Sequence, residues 1–459
     1  MDKSKNLGEC DILKLILWMG IPTMFAQIVN LLYNIVDKIF IGHIAVIGGD
    51  ALTGVGLCTA LITIISAFAQ FVGSGGAPLA SIALGKNDLE KAKKILGNGV
   101  LFLIVMSIVL CIIFSPLEDW YFKIVGGSDI TSPYAKEYLN IYLSGTIFVM
   151  ISLGLNNFIT AQGKSNLAMF SIVIGAIINI ALDPFFIYVL NMGVSGAALA
   201  TVISQGCSCV WILVILFKKT TSLRIEFKYL KPDFKLMLDV ASLGIAPFVM
   251  SSTESLITLT MSGQFQKYGG DDYVGSLTIM QSVMMIMSTP LTGFSQGVTS
   301  LMAYNYGAKK NDRLKKIAKY SFLIFFLYGF VFSLMIIIFP RLFANMFTDD
   351  ISKIDITVKY MPLFMMGMTI FGLQRACQTT FVATHQAKIS LFVALLRKVI
   401  LLIPFAFIFP LFSGVVGVYL AEGVADLLSA VTCTIIFLIK FPKILRKNEL
   451  EYEKWWKKG

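Results

Sequence analysis

Histidine is nearly missing from this sequence: 2 of 459 residues, beside 7 cysteines that show no metal-ligand spacing. Zinc sites draw on closely spaced His and Cys ligands, so a zinc protein is not expected. Cys207 and Cys209, the one close pair, fall in an apolar stretch, where cysteine serves as a small packing residue. Charge is scarce too, at 14% of residues, against about a quarter in soluble domains. Neither a cleavable leader nor a lipidation motif is expected. The first apolar stretch carries Gln27, Asn30, Asn34, Asp37 and Lys38, which do not belong in a signal-peptide core. No nucleophile or metal motif stands at catalytic spacing, and the expectation is a non-enzyme without a cofactor.

Apolar residues fill the space that charge leaves. They make up 56% of the chain, and mean hydropathy is +0.78. No single core hides that much apolar surface from water, so lipid must cover part of it. A span needs about 20 apolar residues. Candidates fall near 12–41, 51–72, 95–115, 135–158, 166–190 and 194–217, then near 236–262, 274–304, 317–340, 356–382, 389–411 and 415–439. Turn residues separate them, as in Gly85-Lys86-Asn87-Asp88, Gly126-Gly127-Ser128-Asp129 and Gly269-Gly270-Asp271-Asp272. The expected fold is an all-α membrane protein of twelve transmembrane helices.

The net charge of +11 would suit nucleic acid or an anionic surface. Its placement decides. Lys and Arg cluster in the even-numbered loops and the tail: Lys218, Lys219 and Arg224 after span 6, Lys309, Lys310 and Arg313 after span 8, and Lys440, Lys443, Arg446 and Lys447 after span 12. Under the positive-inside rule both termini are cytoplasmic, and nucleic acid is not needed to explain the charge. Trp455-Trp456 reads as an interfacial anchor. The expected location is the bacterial inner membrane, multi-pass, with lipid as a partner.

The sequence repeats itself. Thr160-Ala161-Gln162-Gly163-Lys164 returns as Thr384-His385-Gln386-Ala387-Lys388, and Gly193-Val194-Ser195-Gly196 as Gly414-Val415-Val416-Gly417. Gly48-Gly49-Asp50 returns as Gly269-Gly270-Asp271, Gly85 as Gly307, and Gly20 near Pro22 as Gly244 near Pro247. The offsets are about 220–225 residues, a repeat of six spans. Six is even, so the two units enter the membrane from the same side, related by a pseudo-two-fold along the membrane normal. The expected layout is an N-lobe at 1–217, a cytoplasmic linker at 218–235, a C-lobe at 236–440 and a basic tail at 441–459. Two lobes facing a cleft suit alternating access. A channel would need a filter, and no loop resembles one.

Ionisable groups within spans are functional candidates by default. Asp37 lies in span 1. Asn179 and Asp183 lie four apart on one face of span 5, followed by Pro184, and Thr201 follows a small-residue run in span 6. Two carboxylates, an amide oxygen and a hydroxyl suit a hard cation, or a proton in its place. The competing reading makes Asp37 an interfacial carboxylate neutralised by Lys38 and Asp183 a polar group at a kink. In the second half stand Glu254, Arg375, Arg397, Lys398, Glu422 and Asp426. They read either as internal ion pairs, such as Arg375 with a carboxylate, or as part of a substrate path that also takes in Gln162 and Tyr33. Among 36 Phe and 21 Met, some would line an adaptable cleft.

Together these residues resemble the multidrug and toxic compound extrusion (MATE) transporters over essentially the whole chain. The motifs are Pro22 with Val36-Asp37 and Ile41-Gly42, Asn179 with Asp183-Pro184, Gly193 to Thr201, and Ala303-Tyr304-Asn305-Tyr306-Gly307. The likeness is greatest to the DinF-like branch. It implies a monomeric antiporter that exports small organic, often cationic, compounds in exchange for Na+ or H+. It also implies a cation site at Asp37, Asn179, Asp183 and Thr201 with the Ala197 backbone, a coupling role for Glu254, and bending of span 1 at Pro22, with Pro184 as a second hinge. The rival within the superfamily is a flippase of lipid or lipid-linked saccharide, for which Arg375, Arg397 and Lys398 would supply a basic cavity.

Overall fold

The computed structural model describes residues 7–44, 47–125, 127–219 and 221–456. Gly126 of the Gly126–Asp129 turn and the Trp455 and Trp456 side chains fall outside what it describes. The described chain is almost wholly helical. Spans 1–3 are α1 (Ile12–Gly42), α2 (Gly48–Gly85) and α3 (Leu89–Ile124); span 4 is α4 (Ser132–Ser144) with α5 (Thr146–Ala161). Spans 5 and 6 are α6 (Ser165–Pro184) and α7 (Gly193–Phe217). The second set begins with α8 (Phe234–Tyr268), α9 (Asp271–Gly307) and α10 (Asn311–Ile338), and a short α11 (Pro340–Ala344) leads on. Span 10 is α12 (Ile351–Met365) with α13 (Met368–Ala383), span 11 is α14 (Ala387–Leu395) with α15 (Ile403–Ser413), and α16 (Val415–Trp456) closes the set. Among the described residues ten helices are long and apolar enough to cross a membrane, twelve with each bent pair taken as one span. The fold is an all-α membrane protein of two six-helix lobes.

Several helices run beyond their apolar stretch because their ends are capped. Asp11, Asp88 and Asp233 each accept a backbone N–H from three residues on, at 2.9, 2.9 and 3.1 Å. Such caps satisfy donors that the first helical turn leaves free.

The fourth span of each lobe is bent, by 60° at Gly145 and by 45° before Met368. A Cβ on Gly145 would stand 2.5 Å from the Val202 side chain, and one on Gly367 would stand 2.3 Å from the Gly423 carbonyl oxygen. Each bend thus lets the fourth span press on the sixth of its own lobe.

The lobes meet along a seam at the end of the molecule that carries the basic loops. A Cβ at Gly75 would lie 2.3 Å from the Val240 oxygen, and one at Gly297 would lie 2.3 Å from the Met19 oxygen. The two contacts are related by the repeat: α2 on α8 mirrors α9 on α1. Gly85 and Gly307 pack on each other's helices, against the oxygens of Tyr304 and Ile82. The N-terminal segment reinforces the seam, with Asn305 donating to the Leu7 oxygen at 3.2 Å and Lys310 to the Gly8 oxygen at 3.0 Å. The connection between α7 and α8 lies against α3, where Asp233 N donates to Asn98 Oδ1 at 2.8 Å.

Candidate functional site

The first-lobe site is built where α1, α4, α6 and α7 converge. On α6 one helical turn separates Asn179 from Asp183, and Asn179 Nδ2 donates to Asp183 Oδ1 at 3.2 Å. Pro184 lacks an N–H, and the chain continues as a π-helical turn, Phe185–Val189. That turn carries Tyr188 to α1, where its hydroxyl donates to the Phe40 oxygen at 2.7 Å. Asp37, one turn earlier on α1, stands close enough to Asp183 for the two carboxyl groups to interact. Asp37 Oδ1, Asp183 Oδ2 and Asn179 Oδ1 are buried without a hydrogen-bond partner. Three orphaned oxygens at one place, two of them from carboxyl groups, are acceptors whose chemistry suits a small cation or a proton.

Thr201 of α7 borders this cluster together with Tyr138 of α4. Ala197, one turn before Thr201, is fully buried. Lys38 is exposed while its neighbour Asp37 is partly buried. Tyr33 stands on the cavity side of the carboxylates and accepts from Gln205 Nε2 at 3.4 Å, while Ser152 Oγ donates to Gln205 Oε1 at 2.6 Å. Neither Tyr138 nor Gln205 was singled out from the sequence. Gln205 had a signal, since it lies one turn from Thr201 on the same face of α7. Tyr138 had none.

Between the lobes lies a cavity of about 520 Å³. Gln27, Thr63, Gln70 and Asn157 face it from the first lobe, and Met250, Glu254, Thr292, Arg375, Arg397 and Lys398 from the second. Its wall is richer in amides and hydroxyls than in Phe and Met; Met250, Met284, Met368 and Phe371 are the large apolar members among the described residues. Gln27, Gln70, Asn157 and Gln296 also border a narrow crevice that holds Tyr33 and Gln205. A polar path therefore leads from the cavity toward the carboxylates.

The charges of the second lobe are organised by a π-helical stretch, Leu396–Leu402, between α14 and α15. Arg397 donates through two nitrogens to Asp426, with Nη2 at 3.0 Å from Oδ2, and the same nitrogen lies 3.6 Å from Glu422 Oε1. Lys398, the next residue, pairs instead with Glu254 of α8. Glu422 and Asp426 are buried behind Arg397. Arg375 pairs with no carboxylate among the described residues. Its Nη2 donates to Thr292 Oγ1 at 3.1 Å, and its guanidinium lies 5.6 Å from the Phe371 ring centre. Gln162 lies away from the cavity, at the basic end of α5, where its Oε1 accepts from Leu223 N at 3.1 Å. Pro22 is buried inside α1, and next to it Thr23 Oγ1 donates to the Met19 and Gly20 oxygens at 3.0 Å.

Comparison with known proteins bears on the family and the fold. The MatE family model matches the chain twice, over residues 22–185 and 247–408, one match in each lobe. The multidrug export protein MepA of Staphylococcus haemolyticus is 24% identical over 446 residues, covering 97% of this chain and 96% of that protein. MepA of Staphylococcus aureus strain MSSA476 is 23% identical, covering 96% of each. Among solved structures, an outward-facing multidrug-resistance MATE transporter of the MOP superfamily superposes with a TM-score of 0.90 at 23% identity, over 97% of this chain and 99% of that one. A MOP-superfamily transporter from Pyrococcus furiosus, described as having a binding pocket of reversed polarity, superposes with a TM-score of 0.88 at 23% identity, over 96% and 98%. With two matched stretches that together span most of its length, the chain belongs to the MatE family of membrane transporters.

Proposed function

We propose that this protein is an antiporter of the DinF-like branch, exporting small organic compounds, often cationic, through the cavity between its lobes in exchange for Na+ or H+. The observation that carries this reading is the group of orphaned oxygens on Asp37, Asn179 and Asp183. Two unit charges about 4 Å apart repel by about 4 kcal/mol at an effective dielectric of about 20. A cation or proton that removes this repulsion favours whichever lobe shape draws α1 toward α6. Thr201 and the Ala197 backbone complete the donor set. Pro22 lets α1 bend, and Pro184 with its π turn lets the end of α6 follow.

The seam is closed at the basic end. If that end is cytoplasmic, as the charge distribution implies, the cavity faces outward. Cation entry from outside then contracts the first-lobe crevice and expels substrate, and cation release inside resets the lobes. A membrane potential of about 100 mV adds about 2.3 kcal/mol per inward charge. In this scheme residues 1–217 and 236–440 move as bodies about the 218–235 linker, as a monomer in the bacterial inner membrane. The test is efflux of a dye panel from proteoliposomes under an imposed Na+ or H+ gradient. Asp183→Asn is expected to abolish gradient-driven efflux at unchanged expression, and undiminished efflux would refute the scheme.

One observation favours a second reading, a flippase of lipid or lipid-linked saccharide. Arg375 faces the cavity, and its Nε is buried without a partner. Under that reading Arg375→Gln abolishes movement of an anionic headgroup in a vesicle flip assay. Under the first it leaves efflux of cationic dyes intact.

A further inference from the structure

A second cavity, of about 490 Å³, lies at the basic end on the far side of the seam from the central cavity. Both lobes build it. Lys86 comes from the turn after α2 and Lys91 from the first turn of α3. Lys309 comes from the turn between α9 and α10, and Lys440, Lys443 and Lys447 from α16. The last three recur at steps of three and four residues, so they share one helix face. Asp239 is the single carboxylate on the wall, against six lysines.

The positive-inside rule puts lysines at this end, but it does not gather them around one cavity. Lys91, Lys440, Lys443 and Lys447 have no carboxylate at ion-pair distance among the described residues. Lys309 Nζ donates to Asn448 Oδ1 at 2.7 Å, which ties the α9–α10 turn to α16. His385, held at a φ of 57° between α13 and α14, also faces the space. Burial, with Lys91 and Lys86 nearby, pushes its pKa down, while Asp239 pulls the other way. Neutral, it offers one ring donor without adding charge. Closing the seam brings the lysines of one lobe against those of the other, and that repulsion opposes closure unless an anion sits between them.

We propose that this cavity binds a phosphate-bearing polyanion, which bridges the two lobes and favours the conformation closed at the basic end. The phosphate belongs either to a soluble molecule or to the headgroup of an anionic lipid at that face; six lysines suit both. A ligand that binds the closed form better shifts the equilibrium toward it, whatever the exported compound is.

The test uses the full-length protein and thermal unfolding followed by tryptophan fluorescence. In one arm, detergent-solubilised protein is titrated with inorganic pyrophosphate against NaCl of equal ionic strength. In the other, the protein is placed in nanodiscs of phosphatidylcholine with or without phosphatidylglycerol. The wild type is expected to show a rise in midpoint beyond the salt control in at least one arm, which identifies the source. In K440Q/K443Q/K447Q the apparent affinity should fall at least about tenfold. K315Q/K316Q/K319Q removes the same charge from exposed positions outside the cavity at the same end and should behave as wild type. K443R/K447R, which keeps the charge, guards against a folding defect and should retain the response. No rise in either arm, or an equal response from the cavity and control variants, would overturn the proposal.

Discussion

Replacing Arg397 by Met should destabilise the second lobe by about 3–5 kcal/mol, the range for removing one partner of a buried ion pair. Arg397 is the counter-charge of two carboxylates that lie one turn apart on α16. Side-chain exposures of 8%, 4% and 1% for Arg397, Glu422 and Asp426 leave water little access, so the carboxylates cannot be resolvated in place. Asp426→Asn should cost less, about 2–3 kcal/mol, because Glu422 remains within 3.6 Å of Arg397. The double variant R397M/D426N leaves only Glu422 without a counter-charge. Its loss should therefore fall short of the sum of the singles by about 2 kcal/mol. The assay is reversible unfolding in mixed micelles of rising SDS fraction, read by tryptophan fluorescence across the four proteins of the cycle. Singles that add to within about 0.5 kcal/mol would show that Arg397 and Asp426 do not act as a unit, and the reasoning from burial would fail.

Gly307→Val should shift the lobes away from the closed seam, since even a Cβ there would stand 2.1 Å from the Ile82 oxygen; distances between spin labels across the basic end would lengthen, and unchanged distances would count against the seam. Gln205→Leu removes the donor to Tyr33 and the acceptor of Ser152 and should weaken cation binding by about tenfold, as loss of an outer-shell partner does, measured by titration of Na+ or protons. Glu226, in the connection after α7, is pushed down to about 2 by Lys93 and Arg224, with Lys228 adding to them. A carboxylate lowered on folding contributes stability above its unfolded value of about 4.3 and loses it as pH falls toward 2. Glu226→Gln should therefore lower the thermal midpoint at pH 7 but not near pH 2, and less in 1 M salt, because the ion pairs are only part-buried and salt screens them.

Much of this architecture was legible because its signals are those the membrane imposes. Asp37 and Asp183 stood out because a charge in an apolar span requires a reason, and the fold brings them close enough to interact. Gly85, Gly244 and Gly307 recurred because backbones crossing at the seam leave no space for a Cβ, and at Gly20 the Phe294 ring takes that space. The bends at Gly145 and Gly367 escaped notice, although the two residues obey the same offset, because a lone glycine carries no neighbouring motif. The partners of Arg397 and Lys398 were illegible for a different reason. A π-helical stretch changes the rotation per residue, so two adjacent side chains turn to α16 and to α8, and regular helical spacing cannot foretell it. Arg375, for which a carboxylate partner was one of two readings, donates to Thr292 instead and faces the cavity. Gln162 follows the end of α5 and Gln386 precedes the start of α14, so the matched pair marked the turn between the fourth and fifth spans of each lobe.

Coupling would be tested most directly by counting bound ions. Purified protein would be titrated calorimetrically with Na+ at alkaline pH, and proton uptake between about pH 5 and pH 8 measured without Na+. The account predicts one saturable cation or proton per chain in the wild type, lost in both D37N and D183N while both variants remain folded. A D183N protein that still takes up the same number of ions with the same affinity would contradict it.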